Sequence, residues 1–188
     1  MTFANSYIRI VDAINYRVGR IMMYGIFVMI AILMWSSFSK VFLLPSLWTL
    51  EIAQFAMVAY YIMGGPYSLQ LGSNVRMDLF YGEWTTRKKA QIDAITVFFL
   101  IFYLCTLLYG GLGSAAYSLG HYGDEPIGFL TGLVTGSEST GRLERSPTAW
   151  RPYLWPIKIL MCVGIFLMLL QAISELLKDI IKLREENA

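Results

Sequence analysis

The sequence predicts an all-α integral membrane protein. Four transmembrane helices follow an N-terminal amphipathic interfacial helix, and both termini are cytoplasmic. Three observations predict it. Hydrophobic residues make up 56% of the 188 and charged residues only 15%, whereas a soluble domain carries about a quarter charged residues. Four apolar runs each reach the roughly 20 residues that a membrane helix needs. Basic residues gather on one side of the layout that those runs dictate.

Residues 1–20 form the lead-in helix. Tyr7, Val11, Ile14, Val18 and Ile21 recur at steps of four and three, while Arg9, Asp12, Tyr16 and Arg20 lie largely off that stripe. Such a helix lies on the cytoplasmic face or enters the first span at an angle. Arg17 and Arg20 precede an apolar run far longer than a signal-peptide core, with no small-x-small site soon after it. An uncleaved anchor is expected.

The first span covers 21–44, with Lys40 near its far end. Pro45 stops that helix, and Trp48 suits the outer interface. The second span, 50–71, carries Glu51 and Gln54 at its start, so the first two spans form an antiparallel hairpin. A cytoplasmic loop over 72–90 leads to the third span, 94–117, which contains no charge. Residues 118–153 form a long periplasmic loop rich in Gly, Ser, Thr and Pro. Within it PIGFLTGLV (126–134) is apolar but too short to cross. Trp150, Tyr153 and Trp155 form an aromatic belt before the fourth span, 154–177. A cytoplasmic tail, 178–188, completes a single membrane domain. No internal repeat is evident, unlike transporters built from inverted halves.

Orientation follows from charge. One side holds Arg9, Arg17, Arg20, Arg76, Arg87, Lys88, Lys89, Lys178, Lys182 and Arg184; the other holds Lys40, Arg142, Arg145, Arg151 and Lys158. Ten against five places the first set inside. The triplet Arg87-Lys88-Lys89 opens the third helix, where Thr85 or Thr86 is a candidate N-cap. Cations there oppose the helix dipole by about 0.3–1 kcal/mol each. An ordinary positive-inside loop accounts for them, and with Arg17 and Arg20 they suit anionic lipid headgroups.

Several functions are excluded. Cys105 and Cys162 sit inside apolar runs, as small hydrophobes do. His121 is the only histidine, so paired-histidine ligation of haem or metal is impossible. The spans contain no paired carboxylates, no nucleophile triad, no metal cluster and no phosphate loop. No enzyme, cofactor or nucleic-acid partner is expected. Glu51 and Gln54 share a helix face. Glu51 therefore acts either as a relay for protons or cations, or as a structural hydrogen-bonding group at the outer rim. Lys40, Lys158 and a neighbouring subunit are its candidate partners. Gly64, Gly65 and Pro66, and Gly110, Gly111, Gly113 and Ser114, suit close helix packing. Arg76 and Asp78 pair on a turn, or Asn74 and Asp78 share a helix face. The remaining classes are a self-contained four-helix transporter or channel using Glu51, and a non-catalytic subunit of a larger membrane complex.

Trp48-Thr49-Leu50-Glu51, Gly64-Gly65-Pro66-Tyr67 and the run from Leu71 to Tyr81 (LGSNVRMDLFY) carry a resemblance. Gln91-Ile92-Asp93 and the aromatic, proline-rich stretch Trp150 to Pro156 extend it. Together they resemble the small permease (Q) subunit of the tripartite ATP-independent periplasmic (TRAP) transporters. The most specific part is the turn G-x-N-V-R-x-D, where many relatives have His in place of Asn74.

The resemblance implies a subunit of a sodium-coupled importer of carboxylates in the cytoplasmic (inner) membrane. Its partners would be the large permease (M) subunit, the periplasmic substrate-binding protein (P) and membrane lipids. It implies that this chain packs on the scaffold of the large permease and helps to dock the binding protein. Substrate and sodium sites belong to the large subunit. Trp48, Glu51, Gly64, Gly65, Tyr67, Asn74, Arg76 and Asp78 are the expected interface or structural residues. Trp150, Arg151 and Tyr153 are expected to meet the periplasmic partner. The 118–153 loop is longer than in many relatives, which suggests a specialised contact surface.

Overall fold

The computed structural model describes residues 2–72 and 86–185. Among these residues the chain is helical and contains no named strand; an isolated bridge joins Arg145 and Tyr153. In order the helices are α1 (Thr2–Met23), α2 (Gly25–Phe42), α3 (Thr49–Gln70), α4 (Thr86–Ser118), α5 (Pro126–Thr135) and α6 (Trp155–Glu185).

Among the described residues three helical stretches are long and apolar enough to cross a membrane: Ala4–Phe42, Ile95–Ser118 and Trp155–Ile181. The first joins α1 to α2 across a break at Tyr24. At 39 residues and 1.5 Å per residue it would extend about 58 Å, nearly twice the hydrocarbon thickness. It therefore cannot stand in the hydrocarbon as one straight rod.

The helices form a row rather than a closed bundle. α6 is the most buried, with Ile165, Ala172, Gln171 and Ser174 all inside. α4 packs along one side of α6, α3 along another, and α2 flanks α3. Gly164 lies against Ile62, Gly65 against Met168, and Leu104 joins Ile165 and Ala172 in one core cluster. Those pairings make α3 and α6 parallel. Gly111 against Cys162, and Ser114 against Lys158, make α4 antiparallel to both. Gly25 beside Tyr60 and Ser36 beside Thr49 do the same for α2.

An open row leaves wide apolar faces. Phe27, Met34 and Val41 on α2, and Phe98 and Phe102 on α4, are more than half exposed. Such area is far more than a water-soluble monomer exposes. It suits lipid or a partner subunit.

The packed face of α1 takes in only part of the predicted apolar stripe. Its buried face is Tyr7, Val11, Asn15 and Gly19, while Ile10, Ile14 and Ile21 point outward. The reason is a close approach. A Cβ on Gly19 would overlap the Tyr67 ring, so only glycine lets α1 reach α3 there. Of the apolar stripe, Tyr7 and Val11 pack inward, whereas Ile14 and Ile21 face away from the chain.

Residues 119–154 are folded onto the helices. Ala116, Leu119 and Phe129 form a second core with Leu130, Leu133, Leu143 and Trp155 around it. Gly120 (φ 93°) and Gly141 cross backbone to backbone, and the Gly141 amide donates to the Leu119 carbonyl at 3.0 Å. A side chain at either glycine would meet main-chain atoms closer than van der Waals contact. α5 has ten residues and spans only about 15 Å.

The α3–α6 crossing gives a direct check. Gly164→Leu forces a side chain into Ile62, including its backbone at 3.2 Å. Overpacking of this kind costs about 1–3 kcal/mol. Thermal unfolding in detergent should show a lower midpoint for Gly164→Leu, whereas Gly64→Ala, which meets nothing within 4 Å, should hold or raise it. An unchanged midpoint for Gly164→Leu would refute the crossing.

Candidate functional site

Polar side chains collect in two layers, one at each end of the helix row. Lys158 marks one layer and Lys178 the other. The step of 20 residues from one to the other corresponds to about 30 Å of helix, the thickness of a bilayer core. Between the layers α6 is almost wholly apolar.

The Lys178 layer is a hydrogen-bonded junction of α1, α3 and α6. The Nζ of Lys178 lies 2.8 Å from the Asp12 carboxylate and 2.7 Å from that of Glu175. Gln171, fully buried, donates to Asp12 at 2.9 Å and to Glu175 at 3.0 Å. It accepts from Asn15 at 2.7 Å. Ser174 donates to Asp12 at 3.2 Å, and Gln70 of α3 donates to the Asp12 carbonyl at 3.2 Å. Tyr7 donates to the Leu170 carbonyl at 3.2 Å. One cation thus faces two carboxylates, and amides fill most remaining valences, as burial of charge demands. The side-chain oxygens of Asn15 and Gln70 have no hydrogen-bond partner among the described residues.

The Lys158 layer has two parts. On α6, Lys158 pairs with Glu144 at 2.5 Å and donates to the Ser114 carbonyl at 3.3 Å. Where α2 turns into α3, the hydroxyl of Thr49 lies 2.9 Å from that of Ser46 and 3.2 Å from that of Ser36. Glu51 follows two residues on, 5% exposed, and its Oε2 has no hydrogen-bond partner among the described residues. Lys158 is committed to Glu144, and Lys40 is exposed and forms no ion pair among the described residues. Neither candidate partner on this chain reaches Glu51.

The other residues singled out by the sequence fall as follows. Trp48 stands just before α3 at the surface, and Pro66 is buried inside that helix. Tyr67 packs edge-on to Tyr16 with ring centres 5.8 Å apart. Gly65 turns inward to Met168, whereas Gly64 has open space above it. Arg17, Arg20 and Lys88 are exposed, and Arg87 and Lys89 belong to the first turn of α4. Asn74, Arg76 and Asp78 lie outside the described residues. Trp150, Arg151 and Tyr153 are exposed near the start of α6, and the Arg145 guanidinium stacks on the Tyr153 ring at 4.4 Å.

Sequence reading missed the Lys178 junction. A signal existed: Gln171, Ser174, Glu175 and Lys178 recur at helical spacing and make a polar stripe on an otherwise apolar helix. Asp12 faces that stripe. No group of three or more metal-ligating side chains occurs among the described residues.

Long apolar helices, wide unpaired faces and polar groups confined to two layers are those of a helical membrane protein. The family of tripartite ATP-independent periplasmic transporters, DctQ component, matches residues 29–182. The chain belongs to that family and is a small component of a TRAP transporter. The family is one of transporter components and not of enzymes. No curated protein and no solved structure matches the chain.

The junction predicts its own weak point. Gln171→Leu removes three hydrogen bonds and strands the Asn15 amide, at a cost of about 1–3 kcal/mol. Labelling of a cysteine placed at Val11, buried in the native chain, should accelerate in that variant as α1 loosens. Equal labelling rates would mean that the junction does not hold α1.

Proposed function

We propose that this chain is the stationary wall of a sodium-coupled carboxylate importer in the cytoplasmic (inner) membrane. In this reading α2, α3, α4 and α6 cross the bilayer, and both termini are cytoplasmic. The large permease subunit moves substrate, and this chain packs on its scaffold. Trp150, Arg151 and Tyr153 lie at the periplasmic face for the substrate-binding protein. Arg17, Arg20, Arg87, Lys88 and Lys89 meet anionic headgroups on the inner face.

The observation that carries the reading is the row of helices. A closed bundle would hide its apolar side chains, whereas a row offers two broad faces. Either face can extend a larger protein without contributing chemistry of its own. The alternating helix directions support the inward placement of both tails, because α1 and the end of α6 meet at the Lys178 layer. The ten-to-five basic asymmetry supports that layer as the inner one. Gly64, open above its backbone, suits a partner helix at close range. Glu51, with one oxygen unpartnered, suits a donor from the large subunit at the rim. Asn74, Arg76 and Asp78 suit a tie between the cytoplasmic turn and the large subunit.

The unpartnered oxygen of Glu51 also favours a second reading, a self-contained transporter that uses this carboxylate as a relay. Against it, the interval between the two layers offers few polar groups for an ion to follow.

Deleting this chain should lower the recovery and uptake activity of the large permease in membranes. A large permease that stays assembled and fully active alone would contradict the proposal. Arg76→Glu should reduce co-purification, and adding Asp78→Arg should partly restore it; wild-type recovery of the single variant removes that tie. The purified chain in vesicles should pass no ions, and a flux abolished by Glu51→Gln would favour the second reading.

A further inference from the structure

Two cavities meet at the Lys158 end; the first has no part in the proposed function, and the second shares Arg151 and Tyr153 with it. The first is an apolar crease of about 410 Å³ between α4 and α6, floored by Tyr103, Leu107, Gly110, Gly111, Met161 and Ile165. Ser114 and Lys158 stand at its mouth. The second is a polar cup of about 560 Å³ whose wall includes Tyr117, Arg142, Glu144, Arg145, Arg151 and Tyr153. The Lys158–Glu144 pair is the shared edge: Lys158 lines the crease and Glu144 the cup. Tyr117, under the Lys158 ammonium at 5.7 Å, lies one helical turn beyond Ser114.

We propose that crease and cup form one site for an anionic phospholipid, with an acyl chain in the crease and the phosphodiester among Arg142, Arg145 and Arg151. Charge supports it. Glu144 is neutralised by Lys158, so the three guanidinium groups lack a counter-ion among the described residues. Arg142 and Arg151 make no ion pair or side-chain hydrogen bond among the described residues. Arg145 is braced by its stack on Tyr153 and by a hydrogen bond to that hydroxyl. Guanidinium groups bind phosphate oxygens in forked pairs. Arg151 is held at φ 52°, a left-handed conformation that the surrounding structure must maintain.

Depth supports it as well. The cup lies at the Lys158 layer, where headgroups sit if the two layers flank the hydrocarbon. From Ser114 to Tyr103 the crease follows eleven residues of α4, about 16 Å, close to the depth of one leaflet. A soluble anion would use the cup and leave the crease empty. The site holds whichever way the chain is oriented, so its failure leaves the proposed function standing. Arg151 and Tyr153 would then serve the headgroup, and Trp150 keeps the rim contact.

Native mass spectrometry of the delipidated full chain in mild detergent tests this. Phosphatidylglycerol, phosphatidylcholine and glycerol 3-phosphate are the probes. One phosphatidylglycerol should be retained, phosphatidylcholine should bind about tenfold more weakly, and glycerol 3-phosphate should not bind at the same concentration. Arg142→Gln with Arg151→Gln should weaken phosphatidylglycerol about tenfold. Gly110→Leu, whose Cβ meets nothing within 4 Å, should fill the crease and release both lipids while leaving the unfolding midpoint near wild type. Equal retention of the two lipids, or no retained lipid, would overturn the site. So would glycerol 3-phosphate binding as tightly as the lipid, which marks a free-anion cup, or loss of lipid on adding the large permease, which marks a helix-docking face.

Discussion

A polar group in hydrocarbon has no water to fall back on. That constraint orders this structure. Asp12, Asn15, Gln70, Gln171, Ser174, Glu175 and Lys178 gather at one end of α6, and Ser114, Glu144 and Lys158 at the other. Each group finds most of its partners inside its own layer. The helices between are left apolar and close-packed at Gly65, Gly111 and Gly164. Both sets of contacts centre on α6, the one helix that touches α1, α3 and α4.

The consequence is an element that is rigid along its length and bare on its flanks. The Lys178 junction ties α1 to α3 and α6, and the folded segment 119–154 caps the opposite end. Apolar faces on α2 and α4 remain uncovered by the chain itself. A membrane subunit that serves as a wall needs that combination: fixed internal packing and external area for lipid and partner. Substrate chemistry would need polar groups at mid-depth instead, and the described helices carry few there.

The helical class was legible from composition, run length and the stop at Pro45, and the family from the motifs around Trp48, Gly64 and Asn74. The phase of α1 was not. Its apolar stripe marked an amphipathic helix but not which residues pack: Tyr7 and Val11 turn inward, Ile14 and Ile21 outward. In a membrane the outside is as apolar as the inside, so apolarity alone does not give the packed side. The cue that decides is polar: Asp12 and Asn15 face Gln171 and Ser174. Gly19 was equally silent, because a glycine signals close approach only once its neighbour, Tyr67, is known. The long segment before α6 read as a loop because it is rich in Gly, Ser, Thr and Pro, although two of its glycines, Gly120 and Gly141, permit a tight backbone crossing. Glu51 was singled out as an ionisable group at the start of a span, but its burial and surroundings were beyond sequence reading.

The central claim is that the Lys158 and Lys178 layers lie at opposite surfaces of one membrane with an apolar wall between them. Site-directed spin labelling along α6, in a chain with Cys105 and Cys162 replaced by serine, measures this in bilayers. Tyr153, Val163, Phe166 and Ile180 are exposed on the isolated chain and accept labels. Labels at Val163 and Phe166 should report hydrocarbon. Those at Tyr153 and Ile180 should report water or headgroup and be quenched by impermeant reagent from opposite sides. Water at Val163 and Phe166, or quenching of Tyr153 and Ile180 from the same side, would contradict it.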